Sequence, residues 1–111
     1  MSAQYLSLLA LSVVASADLT ANTFVGHDKA PAGAGANALG VARSDAKAGA
    51  DLPVDVIGTA VVKADGAIAE GDALEVGAGS AAKTQSAGVT VARALESVAD
   101  GELCEVLLIA N

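Results

Sequence analysis

Short apolar segments alternate along the chain with polar segments that contain Gly, Asp or Asn. Val, Ile and Leu are frequent in the apolar segments, and this composition favours β-strands. Short strands with turn signals about every ten residues are typical of a small barrel or sandwich. The predicted strands are 11–17, 23–27, 38–42, 52–63, 73–76, 89–95 and 103–109. The sequence therefore predicts an all-β fold with minor α content, in which 96–100 is the candidate helical turn.

The order of these segments repeats once along the chain. Ile68 lies 49 residues after Leu19, and Val91 lies 50 residues after Val41. A repeat of this length usually reflects architecture. The matched segments are 19–25 with 68–74, 41–43 with 91–93, and 54–57 with 104–107. We therefore expect one domain with two similar β-rich halves, 19–58 and 68–108.

The apolar core of this domain must be built from small side chains. The chain has 111 residues, the length of one domain, and Tyr5 and Phe24 are its only aromatic residues. Burial of apolar area contributes roughly 25 cal/mol per Å², so Ala and Val contribute little each. A domain of this composition is expected to gain stability by associating with a partner.

The net charge is −7, from 13 acidic and 6 basic residues. The basic residues are scattered, whereas a nucleic-acid-binding surface needs clustered Lys or Arg. We therefore expect no direct nucleic-acid partner. The longest apolar run is too short to span a membrane, so we also expect no membrane partner.

The motifs that could carry chemistry are incomplete. The segment Gly77–Thr84 approaches the phosphate-binding pattern GxxxxGK[ST], but Ala82 stands where the second glycine is needed. His27 and Asp28 could form half of a catalytic or metal pair, but the chain has no second histidine. A polar turn is the expected structure at this pair.

The remaining candidates are carboxylates and a thiol. Glu70, Asp72 and Glu75 are too few for a calcium loop, and Glu75 is expected to point away from Asp72, so we expect a solvated acidic face. Cys104 is the only cysteine, which excludes an intrachain disulfide, and we expect it to be a buried apolar side chain. We therefore expect no catalytic, cofactor-binding or metal-binding residues, and no enzyme.

The N-terminal segment Tyr5–Ala17 is apolar and uncharged, and it has two interpretations. Ala15-Ser16-Ala17 resembles a signal-peptidase site, so the alternative function is a secreted surface or adhesion module with residues 1–17 as signal peptide. A secretory signal begins with basic residues, and none precedes Lys29. We therefore expect residues 1–17 to be retained as an arm and a strand.

Several segments of small residues and Val are weak motifs one by one, but their order and spacing together are moderately specific for a protein family. They are 18–25, 38–42, Gly49 with 54–58, 68–74, and 93–96 with Gly101 and 106–108. In these segments the chain resembles the capsid cement, or head decoration, proteins of tailed bacteriophages. The resemblance extends over residues 11–109. The chain departs from the family at Val91-Ala92, where Ile or Val is often followed by Gly.

This resemblance implies a fold similar to that of the lambda-type decoration proteins, a small β-barrel or β-tulip-like domain. It also implies a homotrimer on the outer capsid surface of the virion. There the protein would cement neighbouring subunits of the major capsid protein. The family has no catalytic residues, so none is transferred to this chain.

In such a protein the uncharged start of the chain is the expected capsid contact. We expect an N-terminal arm, 1–10, followed by a single domain, 11–111. The arm carries the only tyrosine, so Tyr5 and Leu6 are the expected anchors. The expected capsid-binding residues are Ser2, Ala3, Gln4, Tyr5, Leu6, Ser7, Leu8 and Leu9. Packing of Tyr5 within its own trimer is the alternative.

Overall fold

The computed structural model of the protein describes residues 7–111, and eight β-strands form its framework. The predicted all-β fold with minor helix is confirmed, and the helical segment of the described part is a single 3₁₀ turn, Ala78–Ser80. The strands are β1 (Ser7–Val14), β2 (Phe24–Val25), β3 (Gly40–Ala42), β4 (Asp51–Lys63), β5 (Ala73–Val76), β6 (Ala82–Thr84), β7 (Ala92–Ala94) and β8 (Leu103–Leu108).

Three local predictions differ from the structure. The first strand is Ser7–Val14 instead of 11–17, because it pairs with β4 along this whole length. β6 has no counterpart among the predicted strands. The predicted helical turn at 96–100 is wrong, because Val98 exchanges backbone hydrogen bonds with Ile68 in an antiparallel bridge. β1 also crosses residue 10, so the boundary between arm and domain stays a prediction.

The strands form a single sheet that curls into a nearly closed barrel. The order along the sheet is β2-β3-β4-β8-β7-β5-β6, with β1 paired to β4, and the strand pairs are antiparallel. The first part of β4 has a strand on each side, since Val54 lies opposite Leu11 of β1 and Ala42 of β3. The second part of β4 pairs with β8, where Ala60 lies opposite Val106.

The backbone hydrogen bonds of the two halves correspond closely. Leu19 exchanges two of them with Ala46, and Ile68 exchanges two with Val98. Further corresponding pairs are Ala15–Ala50 with Ala64–Glu102, Ala42–Val54 with Ala94–Val106, and Val13–Leu52 with Val62–Cys104. We infer that two versions of one four-stranded unit make up the sheet. The first unit is β1, β2, β3 and the start of β4, and the second is the end of β4, β5, β7 and β8.

The two units differ in the connection between their second and third strands. Counted between paired residues, the connection spans 15 positions in the first unit (Val25 to Gly40) and 18 in the second (Leu74 to Ala92). The longer connection contains the 3₁₀ turn and β6. As a result, the hydrogen bonding makes Ala94 the equivalent of Ala42. The sequence repeat instead matches Ala42 with Ala92, so it is displaced by two residues at this point.

The core consists of two apolar clusters. The larger one contains Phe24 and Leu74, and the smaller one contains Val13 and Leu52. Phe24 is completely buried and is the largest side chain of the core. Cys104 is buried in the larger cluster, as predicted.

We predict that Phe24→Ala lowers the free energy of unfolding by about 3–5 kcal/mol, because it leaves a cavity among small side chains that cannot close it. Equilibrium unfolding in urea measures the change. Val89→Ala shortens an exposed apolar side chain and is the control, with an expected change within about 0.5 kcal/mol. Equal effects of the two substitutions would contradict a central role for Phe24.

Candidate functional site

β1 carries much of the exposed apolar surface in residues 7–111. Four large apolar side chains of this strand are exposed: Leu8 (70%), Leu9 (43%), Leu11 (40%) and Val14 (58%). The strand has no charged residue. Only its inner side contributes to the core, where Val13 packs in the smaller cluster. β1 is therefore the candidate binding surface.

The predicted capsid-binding residues fall in two groups. Ser7, Leu8 and Leu9 are the first residues of β1. Ser2 to Leu6, including both predicted anchors, lie outside the described residues. Leu11 and Val14 extend the exposed apolar surface beyond the predicted set, because β1 continues as a strand past residue 9.

An apolar groove lies beside β1. Leu11, Leu108 and Ile109 belong to its lining. The cavity has a volume of about 250 Å³. Asn111 borders the groove and is held in place by Ala38, whose N–H donates to Oδ1 (2.8 Å) and whose carbonyl accepts from Nδ2 (3.1 Å).

The glycine-rich segment near residue 80 is not arranged to hold a phosphate. The Ala78 N–H, which would face the anion, donates to the Asp65 carboxylate (3.0 Å). A phosphate would have to replace this negatively charged side chain. The lysine of the pattern, Lys83, lies on strand β6, whereas the phosphate-binding pattern requires a helix at this point.

Glu75 is buried, which corrects the prediction of a solvated acidic face. Its carboxylate accepts hydrogen bonds from the Ser86 N–H (2.5 Å), the Ser86 hydroxyl (3.0 Å) and the Gly88 N–H (3.3 Å). The bond from the Ser86 N–H is the main cause that lowers the pKa of Glu75, and burial opposes it. Asp72 instead accepts from the Ala69 N–H (3.0 Å). Glu75 therefore holds the loop after β6 and does not join Asp72 in a cation site.

The other candidate side chains form no reactive group in the structure. Asp28 accepts a hydrogen bond from the Ala30 N–H (3.2 Å), and His27 beside it is exposed, as expected for a polar turn. Burial raises the pKa of the Cys104 thiol to about 11, so the reactive thiolate is scarce at neutral pH.

The described residues contain neither a metal-binding cluster nor a helix that could cross a membrane. Within 7–111, no three His, Cys, Asp or Glu side chains are grouped so that they could hold a metal ion. In the same range, no helix has the length and apolar character needed to cross a membrane.

Comparison with known proteins gives a family match and matches to solved structures. Residues 7–108 match the family described as "Phage cement protein". The fold is similar to the crystal structure of the head fiber gp8.5 N base in bacteriophage phi29, with a TM-score of 0.74 and 19% sequence identity. This alignment covers 91% of this chain and 93% of that chain, and at this identity it shows a shared fold alone. No curated protein matches the chain.

We predict that the hydrogen bonds to Glu75 make stability depend on pH. The pKa of Glu75 is lowered by folding, so its contribution is complete above the ordinary carboxyl value of 4.5 and is lost as the pH falls through the lower folded value. Urea unfolding of Glu75→Gln between pH 3 and pH 7 should therefore show a shallower pH dependence than the wild-type protein.

Glu70→Gln removes the same charge from an exposed position and is the control. If both substitutions change the slope equally, net charge and not the loop contact causes the effect.

Proposed function

The chain belongs to the phage cement protein family, and we propose that it binds the outer surface of a phage head and cements neighbouring major capsid subunits. The family resemblance predicted from the sequence is confirmed. The protein is therefore a structural protein of the phage head, with a capsid-associated location in the virion. The proposed role is mechanical and includes no catalysis.

The observation that carries the proposal is the exposed apolar face of β1. Leu8 is 70% exposed and Val14 is 58% exposed on a strand without charge. Contiguous exposed apolar surface on a small soluble protein typically marks an interaction site. Elsewhere the chain is acidic, with a net charge of −7. An apolar contact of this uncharged strand with a protein surface is the interaction that β1 fits best.

We propose that the protein acts as a homotrimer. The core of small side chains supports this, because a domain that buries little apolar area per residue gains stability from association. A trimer can contact several capsid subunits at once. Once one contact is made, the others form at a high effective concentration, so contacts that are weak alone together bind tightly.

The proposed capsid-contacting residues are Ser2 to Leu9, with Tyr5 and Leu6 as anchors. Leu8 and Leu9 support this assignment, since both are exposed on β1 directly after the proposed anchors. An aromatic side chain buries a large apolar area in a partner pocket and is a frequent anchor of protein interfaces.

The alternative is a secreted surface or adhesion module that loses residues 1–17. Cleavage after Ala17 would remove β1 entirely, and with it Val13 and Ala15 from the smaller core cluster. The intact mass of the native protein distinguishes the two functions. A chain that starts at Asp18 would favour the secreted module.

We predict that deletion of residues 1–6 weakens binding to phage heads that lack the protein by roughly tenfold or more, the effect of losing one or two anchor side chains. The deletion leaves the strands of residues 7–111 intact, so the urea midpoint should change little. Co-sedimentation with heads over a range of protein concentrations measures the affinity.

Leu8→Ser and Leu103→Ser form a matched pair within the described residues. Both substitutions replace an exposed leucine at the start of a strand, but only the first lies on β1. Leu8→Ser should weaken head binding, and Leu103→Ser should not. Unchanged binding of both Leu8→Ser and the deletion variant would contradict the proposed contact.

A further inference from the structure

β1 is an edge strand, and its outer backbone groups can be identified. The Arg43 N–H donates to the Pro53 carbonyl, so Pro53 directs its backbone oxygen towards β3. Backbone groups alternate in direction along a strand. The neighbours of Pro53 in β4 therefore face β1, where Val54 lies opposite Leu11. It follows that Leu11 and Val13 bond towards β4, whereas Ala10, Ser12 and Val14 direct their N–H and C=O groups away from the sheet.

The open part of this edge is short and well defined. Among residues 7–111, β1 pairs with β4 and with no other strand. The loop after β2 covers the chain from residue 16 onwards, since the Ser16 N–H donates to the Lys29 carbonyl (3.0 Å). The exposed edge from Ala10 to Val14 therefore offers about 17 Å of strand, at roughly 3.4 Å per residue.

Soluble proteins usually protect such an edge with charge, proline or a bulge. The segment Ala10–Val14 has no charged residue and no proline, and the register shifts of β1 lie before it, between Ser7 and Ala10. Ser12 and Val14 are also exposed through their side chains. An unprotected edge of this kind is a template for another strand.

The second unit of the fold has a corresponding strand edge at the end of β4. Lys63 is the equivalent of Val14, 49 positions further on. The Lys63 N–H donates to the Asn22 carbonyl (2.9 Å), so the chain itself satisfies the outward group there. In the first unit no described residue provides the same contact to Val14. At this position the two units differ: the outward N–H group is bonded within the chain in the second unit, and in β1 it is open to a partner.

We propose that the open edge of β1 binds an extended segment of a capsid subunit as an added β-strand. This inference rests on the proposed function and specifies how the contact is made. Main-chain hydrogen bonds to Ala10, Ser12 and Val14 provide the attachment, and the exposed side chains of β1 select small or apolar neighbours.

The charges around the edge determine which segment fits. Asp51 lies opposite Val14 and is exposed, and Asp28 lies beside the residue 16 end of the edge, where its carbonyl accepts from the Ser16 hydroxyl. A segment that is uncharged or basic is therefore favoured. Pairing with a second copy of this chain is the competing outcome, and the sedimentation mass of the free protein tests it.

Ser12→Pro tests this inference directly. Proline is tolerated at an edge position whose N–H faces solvent, but it removes that donor and its ring obstructs an added strand. We predict an unchanged urea midpoint for the free protein and roughly tenfold or more weaker binding to heads that lack the protein. Ser12→Ala keeps the N–H and is the matched control, with binding like that of the wild-type protein.

The outcomes separate this inference from the proposed function. If the wild-type protein does not bind heads, the proposed function fails. If it binds and Ser12→Pro binds equally well, only the added strand is overturned. A change in the sedimentation mass of free Ser12→Pro would show that a second copy occupies the edge, which also overturns the inference.

Hydrogen exchange of the wild-type protein gives a test that does not depend on the folding of a variant. The amides of Ser12 and Val14 should exchange rapidly in the free protein and at least about tenfold more slowly on heads, because an added strand would bond them. Val13, which bonds towards β4, should be protected in both states. Equal exchange of Ser12 in the two states would overturn the proposal.

Discussion

The two units of this fold share one strand, β4, and the rest of the sheet is arranged around it. β3 and β4 approach each other closely: a Cβ atom at position 40 would lie 2.1 Å from the Asp55 carbonyl oxygen. Only glycine permits that distance. Directly after β3, the Arg43 guanidinium forms an ion pair with the Asp55 carboxylate of β4, which is 3% exposed. The residue that follows β3 therefore balances the charge that β4 buries.

The same strand, β1, serves both the core and the proposed interface. Val13 packs into the smaller apolar cluster, whereas Leu8 and Val14 are exposed on the outside. A partner that holds the outer side of β1 also restrains its inner side. Binding to the native state alone raises the free energy of unfolding. A cement protein with a core of small side chains would then be more stable on the head than in solution.

The sequence allows the strand content to be predicted, because runs such as Val54 to Lys63 combine β-branched residues with turn signals on either side. The register of the repeat could not be predicted. The identical Val-Ala-Arg triplets at 41–43 and 91–93 match Ala42 with Ala92. The strand pairing instead makes Ala94 the equivalent of Ala42, two residues further on. The burial of Glu75 depends on donors 11 and 13 positions away. The open edge of β1 depends on which strands lie beside it, a property of the assembled sheet that no local pattern contains.

The pairing of β1 with β4 has a consequence for synthesis in the host cell. Ser7 pairs with Gly58, which is translated 51 residues later. At a synthesis rate of about 5–20 residues per second, the partner of the apolar first strand is made roughly 3–10 s after it. During this time both of its edges are open, and neighbouring nascent chains carry the same segment. Intermolecular pairing of these segments is therefore a hazard before the chain folds.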